Sequence, residues 1–403
     1  MYRIGNRSNF EIYLMAITLI MYGIRFEFIG TLIVLLYGLL KIKATDFLDK
    51  KLLSLLLFCV FYLLIDPLGY LKLDAIGKIK FILLSFVFYS MGKRIFLISR
   101  NNLKLGLALV MSVNVGFAIN TVFSMTYTMK FFPEAIIIRQ YYDYFSTSNV
   151  LTHGLDISML LTISLAVFIY LAYIIITSGF LLKTSYFEKM IFIAIIVSGG
   201  LGMIYSNILQ NRTPFFIFVI CAMLPFVLAP RTYKSYLKFI FVLVCIVLLI
   251  SILNFGALEE FVVSGVKNRL TDGVLNAGNR DNLFLYGIEV LPFYPMGGYR
   301  LPQSFGNTYF HNFWLDIVKV SGFLPLIFIL YFQLSHIKHI KIAYLNHHQY
   351  GIMLVIICVA IFLLFLTSPI PEGGQEIYYF SLLLLGYVRM FRPAIPLPSA
   401  RTQ

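Results

Sequence analysis

The chain has 403 residues, 60% hydrophobic and only 12% charged, with a mean hydropathy of +0.87 and a formal net charge of +14. A soluble domain carries roughly 25% charged residues. The composition therefore excludes a soluble protein and predicts an all-α integral membrane protein forming one polytopic unit, 1–403.

Crossing a hydrocarbon core of about 30 Å takes about 20 apolar residues. On that measure the apolar runs predict about twelve transmembrane helices, some of them short. They lie near 11–24, 26–42, 52–66, 75–92, 103–123, 157–182, 188–206, 214–229, 235–254, 311–332, 350–368 and 376–390. Only Arg25 separates the first two, so eleven is the other count. The basic start, MYRIGNRSNF, resembles a signal peptide, but no small-x-small cleavage pattern follows it. Further spans come at once, which predicts a retained first helix.

With both termini cytoplasmic, twenty of the thirty-two Lys and Arg fall in cytoplasmic segments. Examples are Lys50 and Lys51, Lys93 and Arg94, Lys338 and Lys341, and Arg389 and Arg392. That bias follows the positive-inside rule, so the charge reads as orientation against anionic lipid and not as a nucleic-acid footprint. Two segments then stand outside, 124–156 and a large, partly helical one at 255–310 between spans nine and ten. The second shifts to Gly, Asn, Asp, Arg and Tyr and is the natural place for chemistry.

All four cysteines (Cys59, Cys221, Cys245 and Cys358) lie within apolar runs, which predicts core packing and neither disulfides nor a zinc site. Ionisable groups collect near the outer ends of spans: Arg25 and Glu27, Lys78 and Lys80, Arg212, Asp316 and Lys319, Glu372 and Glu376. Charge at that depth is costly and marks functional candidates, with snorkelling as the plain alternative for the lysines.

In Asn211-Arg212-Thr213-Pro214, Thr suits a helix N-cap and Pro the first helical position. Arg212 would then add a guanidinium to unpaired backbone N–H groups, a ready phosphate site. Its alternative role is an interfacial anchor. Arg280 opens a short amphipathic stretch that Pro292 should end, and Gly297-Gly298 predicts a turn. His311 opens span ten at the water boundary, where it can serve as base or hydrogen-bond donor. Asn312 and Asp316, four apart, share a helix face, and Asp316 and Lys319 are spaced to form a buried ion pair.

The outer loops carry no Asp-x-Asp or carboxylate–histidine motif, which argues against Mg²⁺ or Zn²⁺ catalysis, and there is no nucleotide-binding glycine pattern. No cofactor is expected. His336, His339, His347 and His348 read as members of a solvated cytoplasmic loop. Tyr141, Tyr142, Tyr144, Tyr294, Tyr299, Tyr309 and Trp314 suit either sugar stacking or the interfacial aromatic belt.

Arg212 in NRTPFF, Arg280 in GNRDNLFLYGIEVLPFYPMGG, His311-Asn312 in YFHNFWLD and Gly322 in VSGFLPL form one ordered pattern around a large outer loop. It resembles that of the O-antigen polymerase and O-antigen ligase superfamily. The resemblance covers roughly 205–330 in motifs and the rest in layout. It implies a metal-independent, inverting glycosyltransferase of the bacterial inner membrane, with its active site facing outward. The donor would be an undecaprenyl-diphosphate-linked oligosaccharide, and a chain-length regulator protein is a further partner of such systems.

For a polymerase of O-antigen or capsule the acceptor is another carrier-linked repeat unit; for a ligase it is lipid A-core. On this reading Arg212 and Arg280 meet the diphosphate, with Arg300 and Arg139 as accessories. His311 orients or deprotonates the acceptor hydroxyl, supported by Asn312 and Asp316. Polymerase is the preferred assignment, although 124–156 offers a single clear Arg. A lipid or polysaccharide transporter is the alternative of another class, but repeated halves and midplane polar groups are missing.

Overall fold

The computed structural model describes residues 4–41, 49–71, 73–137, 139–145, 151–177, 184–209, 211–228, 234–241, 280–305, 308–368, 370 and 374–392. In order, the helices are α1 (Ile4–Ile24), α2 (Glu27–Lys41), α3 (Lys50–Leu64), α4 (Ala75–Ser99), α5 (Leu103–Phe131) and α6 (Pro133–Ile137). A two-stranded antiparallel hairpin follows, β1 (Gln140–Tyr142) with β2 (Leu151–His153). Then come α7 (Gly154–Thr177), α8 (Tyr186–Ile208), α9 (Thr213–Leu228), α10 (Arg280–Val290), α11 (Phe313–Ser321), α12 (Phe323–Asn346), α13 (His348–Thr367) and α14 (Gln375–Val388).

The protein is an all-α membrane-type bundle apart from that hairpin. Six of its helices (α4, α5, α7, α8, α12 and α13) are long and apolar enough to cross a membrane. Shorter apolar helices include Asn9–Ile24, Ile29–Leu40 and Thr213–Leu228. Among the described residues the count of about twelve is not reached. Most of the ninth predicted span, 235–254, lies outside them, with 234–241 helical. The first pair is two helices: the backbone turns at Arg25, whose φ is 58°, and α2 packs back on α1.

Three sequence expectations need correcting. The tenth span is not one helix, because Gly322, with φ 79°, ends α11 and starts α12 in a new direction. The segment 124–156 is not all loop, because α5 runs on to Phe131. There Thr128 Oγ1 donates to Ser124 O within the helix (2.7 Å), and Ser124 and Thr128 are both buried. Finally, His336 and His339 belong to α12 and not to a loop. His336 is fully buried, its Nδ1 donating to Phe332 O (2.7 Å) and its Nε2 accepting from the Tyr89 hydroxyl (3.1 Å).

Local chemistry sets the helix ends. Asp74 caps α4 by accepting from Gly77 N (2.7 Å), Asn102 caps α5, and Ser185 with Glu188 forms a capping box on α8. The closest pairing is α4 against α14. A Cβ on Gly92 would strike Leu383 O and one on Gly386 would strike Tyr89 O, so the absence of side chains lets the two backbones meet.

The bundle has two polar ends. At the base, Lys51 Nζ donates to Ser335 O (2.6 Å), Lys93 and Arg389 both meet Asp49, Arg94 meets Glu11, and Lys104 meets Glu188. At the head, Asn120 Nδ2 donates to Ile24 O (2.7 Å), Ser321 Oγ to Tyr62 O (2.8 Å), and Asn312 Nδ2 to Leu366 O (3.4 Å). The loops carrying Arg25, Arg139, Arg212 and His311 all belong to the head.

Candidate functional site

Arg212 sits between α8 and α9. Phe216 N donates to its carbonyl (3.1 Å), so Arg212 itself, one residue before Thr213, occupies the position that opens α9. Its side chain is exposed at a helix N-terminus, where backbone N–H groups and the helix dipole favour an anion.

Arg139 lies between α6 and β1 with a left-handed backbone, φ 58°. Partial burial and the positive charge of Arg212 beside it both lower its pKa. The fold thus places two arginines 73 positions apart in sequence (212 minus 139) near enough for the charge of one to act on the other.

The segment before α11 is built around Asp316, which is fully buried. Its carboxylate accepts from Phe310 N (2.7 Å) and Asn312 N (3.3 Å), folding the chain back over its own helix start. Asn312 caps α11, its Oδ1 accepting from Trp314 N and Leu315 N (both 3.1 Å). His311, between those two clamped amides, has φ 55° and stands half-buried against Tyr309, with ring centroids 6.5 Å apart. A left-handed non-glycine residue costs about 1–3 kcal/mol and persists where its neighbours over-determine it, as Asp316 and Asn312 do here.

The charge of Lys319 acts on Asp316, but the hydrogen bonds of the two go to different partners. Asp316 serves backbone amides, while buried Lys319 donates to Thr308 O (2.9 Å) and lies over the rings of Tyr309 (4.7 Å) and Tyr70 (5.0 Å).

The loop before His311 has its own small core of Leu283, Leu291, Tyr299, Phe310 and Val318. As the sequence indicated, α10 ends just before Pro292 and a 3-10 turn follows, Leu291–Phe293. Gly297 and Gly298 take φ 80° and 79°, and a Cβ on Gly297 would strike Val320 O. Gly298 N donates to Lys319 O (2.8 Å) and Phe323 N to Pro295 O (3.0 Å), which latches this turn to the break at Gly322. Tyr299 is buried, its hydroxyl sharing a hydrogen bond with that of Tyr286, and its backbone carbonyl accepts from Tyr70 (2.9 Å).

Arg280 is the first residue of α10, and its side chain lies outside the described atoms. Arg300 is exposed beside Tyr299. Electrostatics therefore links Arg139 to Arg212, and separately the hydrogen bonds of Asp316 fix the backbone on either side of His311, all at the head. Glu372 and the stretch from 251 to 279 fall outside the described residues.

Sequence reasoning singled out Arg25, Lys80 and Glu376 but missed that they line one cavity with Asp143. Arg25 pairs with Glu376 (3.1 Å) and Asp143 (4.0 Å). The only signal was their shared depth at outer helix ends. Compared with known proteins, the chain matches no family model and no curated protein.

Proposed function

We propose that this protein is a polysaccharide polymerase, making O-antigen or capsule in the bacterial inner membrane with its head facing outward and both termini cytoplasmic. It transfers a glycan from an undecaprenyl-diphosphate carrier to a hydroxyl of a second carrier-linked repeat unit. The acceptor oxygen attacks the anomeric carbon opposite the departing diphosphate, the old carbon–oxygen bond breaks, and configuration inverts. The acceptor proton leaves through His311. In this reading about twelve spans carry the site, the ninth running through 235–254.

The observation that carries the proposal is Arg212, exposed at the start of α9, with its charge felt by Arg139. A leaving diphosphate gains negative charge, and fixed guanidinium groups aimed at it stabilise the transition state. In this reading Arg280 and Arg300 are further candidates to meet the diphosphate. Below the pair, α5 and α8 border an apolar groove of about 520 Å³, lined among others by Val122, Phe123, Ile193 and Val197, which suits a polyprenyl tail. The base cluster, richer in Lys and Arg than in carboxylates, suits the cytoplasmic side.

The test is to incubate purified protein with carrier-linked repeat units alone, with and without EDTA. A ladder of polymer that survives chelation is expected. No product until lipid A-core is added makes the protein a ligase. Loss with EDTA and recovery with Mg²⁺ overturns the assignment of the arginines in place of a metal.

A further inference from the structure

A second head-end cavity, of about 220 Å³, lies where the α1–α2 junction, α4, the turn after β1 and the start of α14 converge. Arg25, Lys80, Asp143, Gln375, Glu376 and Tyr379 line it. Its charges balance: Arg25 bridges Glu376 (3.1 Å) and Asp143 (4.0 Å), and Asp143 also accepts from Asn120 Nδ2 (3.1 Å). Lys80 is exposed and forms no ion pair among the described residues. The Tyr379 hydroxyl is buried and finds no hydrogen-bond partner among them.

Those facts select a ligand chemistry. A phosphate group would face two carboxylates, a cation would face Arg25 and Lys80, and a hydrocarbon would leave all four charges dry. A neutral polyhydroxyl compound meets none of these penalties. Each hydroxyl can donate to a carboxylate while accepting from a guanidinium, an ammonium or a phenol. The unmatched Tyr379 hydroxyl gains a partner in the same step, as buried polar groups require. At about 30 Å³ per water, the volume holds about seven waters, which suits one sugar ring and its hydroxyls.

We infer that this cavity is a binding subsite for a single neutral sugar residue, built by Arg25, Asp143, Glu376, Lys80 and Tyr379. It takes the sugar portion of a substrate whose diphosphate is held elsewhere, at Arg139 and Arg212. That role rests on the polymerase reading, whereas the binding itself follows from the cavity.

Saturation-transfer difference NMR on the full-length protein in detergent tests it, with free glucose, galactose, N-acetylglucosamine and rhamnose as probes. At least one sugar should give a signal that falls fivefold or more in both Lys80→Met and Tyr379→Phe. Arg212→Ala and added inorganic pyrophosphate should leave that signal in place. Neither cavity variant removes an observed ion pair or hydrogen bond, so both should melt with the wild type.

Absence of signal with every sugar, equal signals in both variants, or displacement by pyrophosphate overturns the subsite. If the wild type builds polymer from carrier-linked units while the sugar signals ignore both variants, the subsite alone is wrong. If the signals behave as expected but neither repeat units nor lipid A-core yield product, the enzyme reading alone is wrong.

Discussion

The base of the bundle and the Arg139–Arg212 corner of its head use charge differently. At the base each cation named above has a carboxylate or carbonyl partner: Lys93 and Arg389 share Asp49 (3.3 and 3.4 Å), Lys104 has Glu188 (3.4 Å) and Lys51 has Ser335 O (2.6 Å). Arg389 Nη1 also donates to His339 Nε2, and His339 Nδ1 donates to Phe391 O (both 2.9 Å). Such a network ties α3, α4, α12 and α14 together. At the head, Arg139 lies beside Arg212, and His311 and Arg139 both hold left-handed backbones. The base charges named here are neutralised by partners within the fold, as Arg25 is at the head by Glu376 and Asp143; Arg139 differs in feeling the like charge of Arg212.

Breaking the head should have the largest effect on chemistry. Arg212→Ala should lower the rate of polymer formation by about 10²–10³-fold, the usual consequence of deleting one group that stabilises a developing anion. Arg212→Lys should also be severe, because an ammonium lacks the planar fork that grips phosphate through two hydrogen bonds. Initial rates at matched protein levels in membranes check this, and wild-type ladders from either variant would end the assignment.

Breaking the base should show in stability instead. Asp49→Asn keeps the acceptor that caps α3 at Lys51 N (3.1 Å) but removes the charge facing Lys93 and Arg389. A loss of about 1–3 kcal/mol is expected, read as a lower melting temperature, with the rate per folded molecule unchanged. Burial raises the Asp49 carboxyl's pKa, but the Lys51 amide and the charges of Lys93 and Arg389 outweigh it and hold the value below normal. The stabilisation is therefore present at neutral pH and fades as pH falls through that lowered value, so wild type and variant should converge in acid.

The smallest and most discriminating change is Arg139→Gln. It should slow polymer formation about tenfold, equivalent to about 1.4 kcal/mol, yet leave the melting temperature equal or slightly higher, because a like-charge neighbour of Arg212 is gone. A melting temperature lowered as far as in Asp49→Asn would mean that the two ends do not differ in kind.

Much of the bundle was readable in the sequence because hydropathy and caps are local. The turn at Gly297-Gly298 and the helix starting at Arg280 fall where their residue types predicted, whereas His311, expected to open span ten, stands ahead of the helix that Asn312 caps. The break at Gly322 was not readable, because a single glycine inside an apolar run hardly changes hydropathy; its reason, the backbone of Pro295 pressed against it, lies in another segment. Nor could the burial of His336 be foreseen, since its partner is Tyr89 on a distant helix. The head presents the same contrast: Arg139 and Arg212 were each legible as candidates, but their adjacency depends on α5, α6 and α8 ending together.

The close seam between α4 and α14 also bears on biogenesis. Ala75–Ser99 leaves the ribosome long before Gln375–Val388, yet Gly92 and Gly386 lie flush against each other's helices. Until the later helix is made, Phe81 and Phe88 lack the rings of Tyr378 and Tyr379 that stack on them. A nascent chain stopped short of α14 would therefore lack one wall of its core as well as the helix itself.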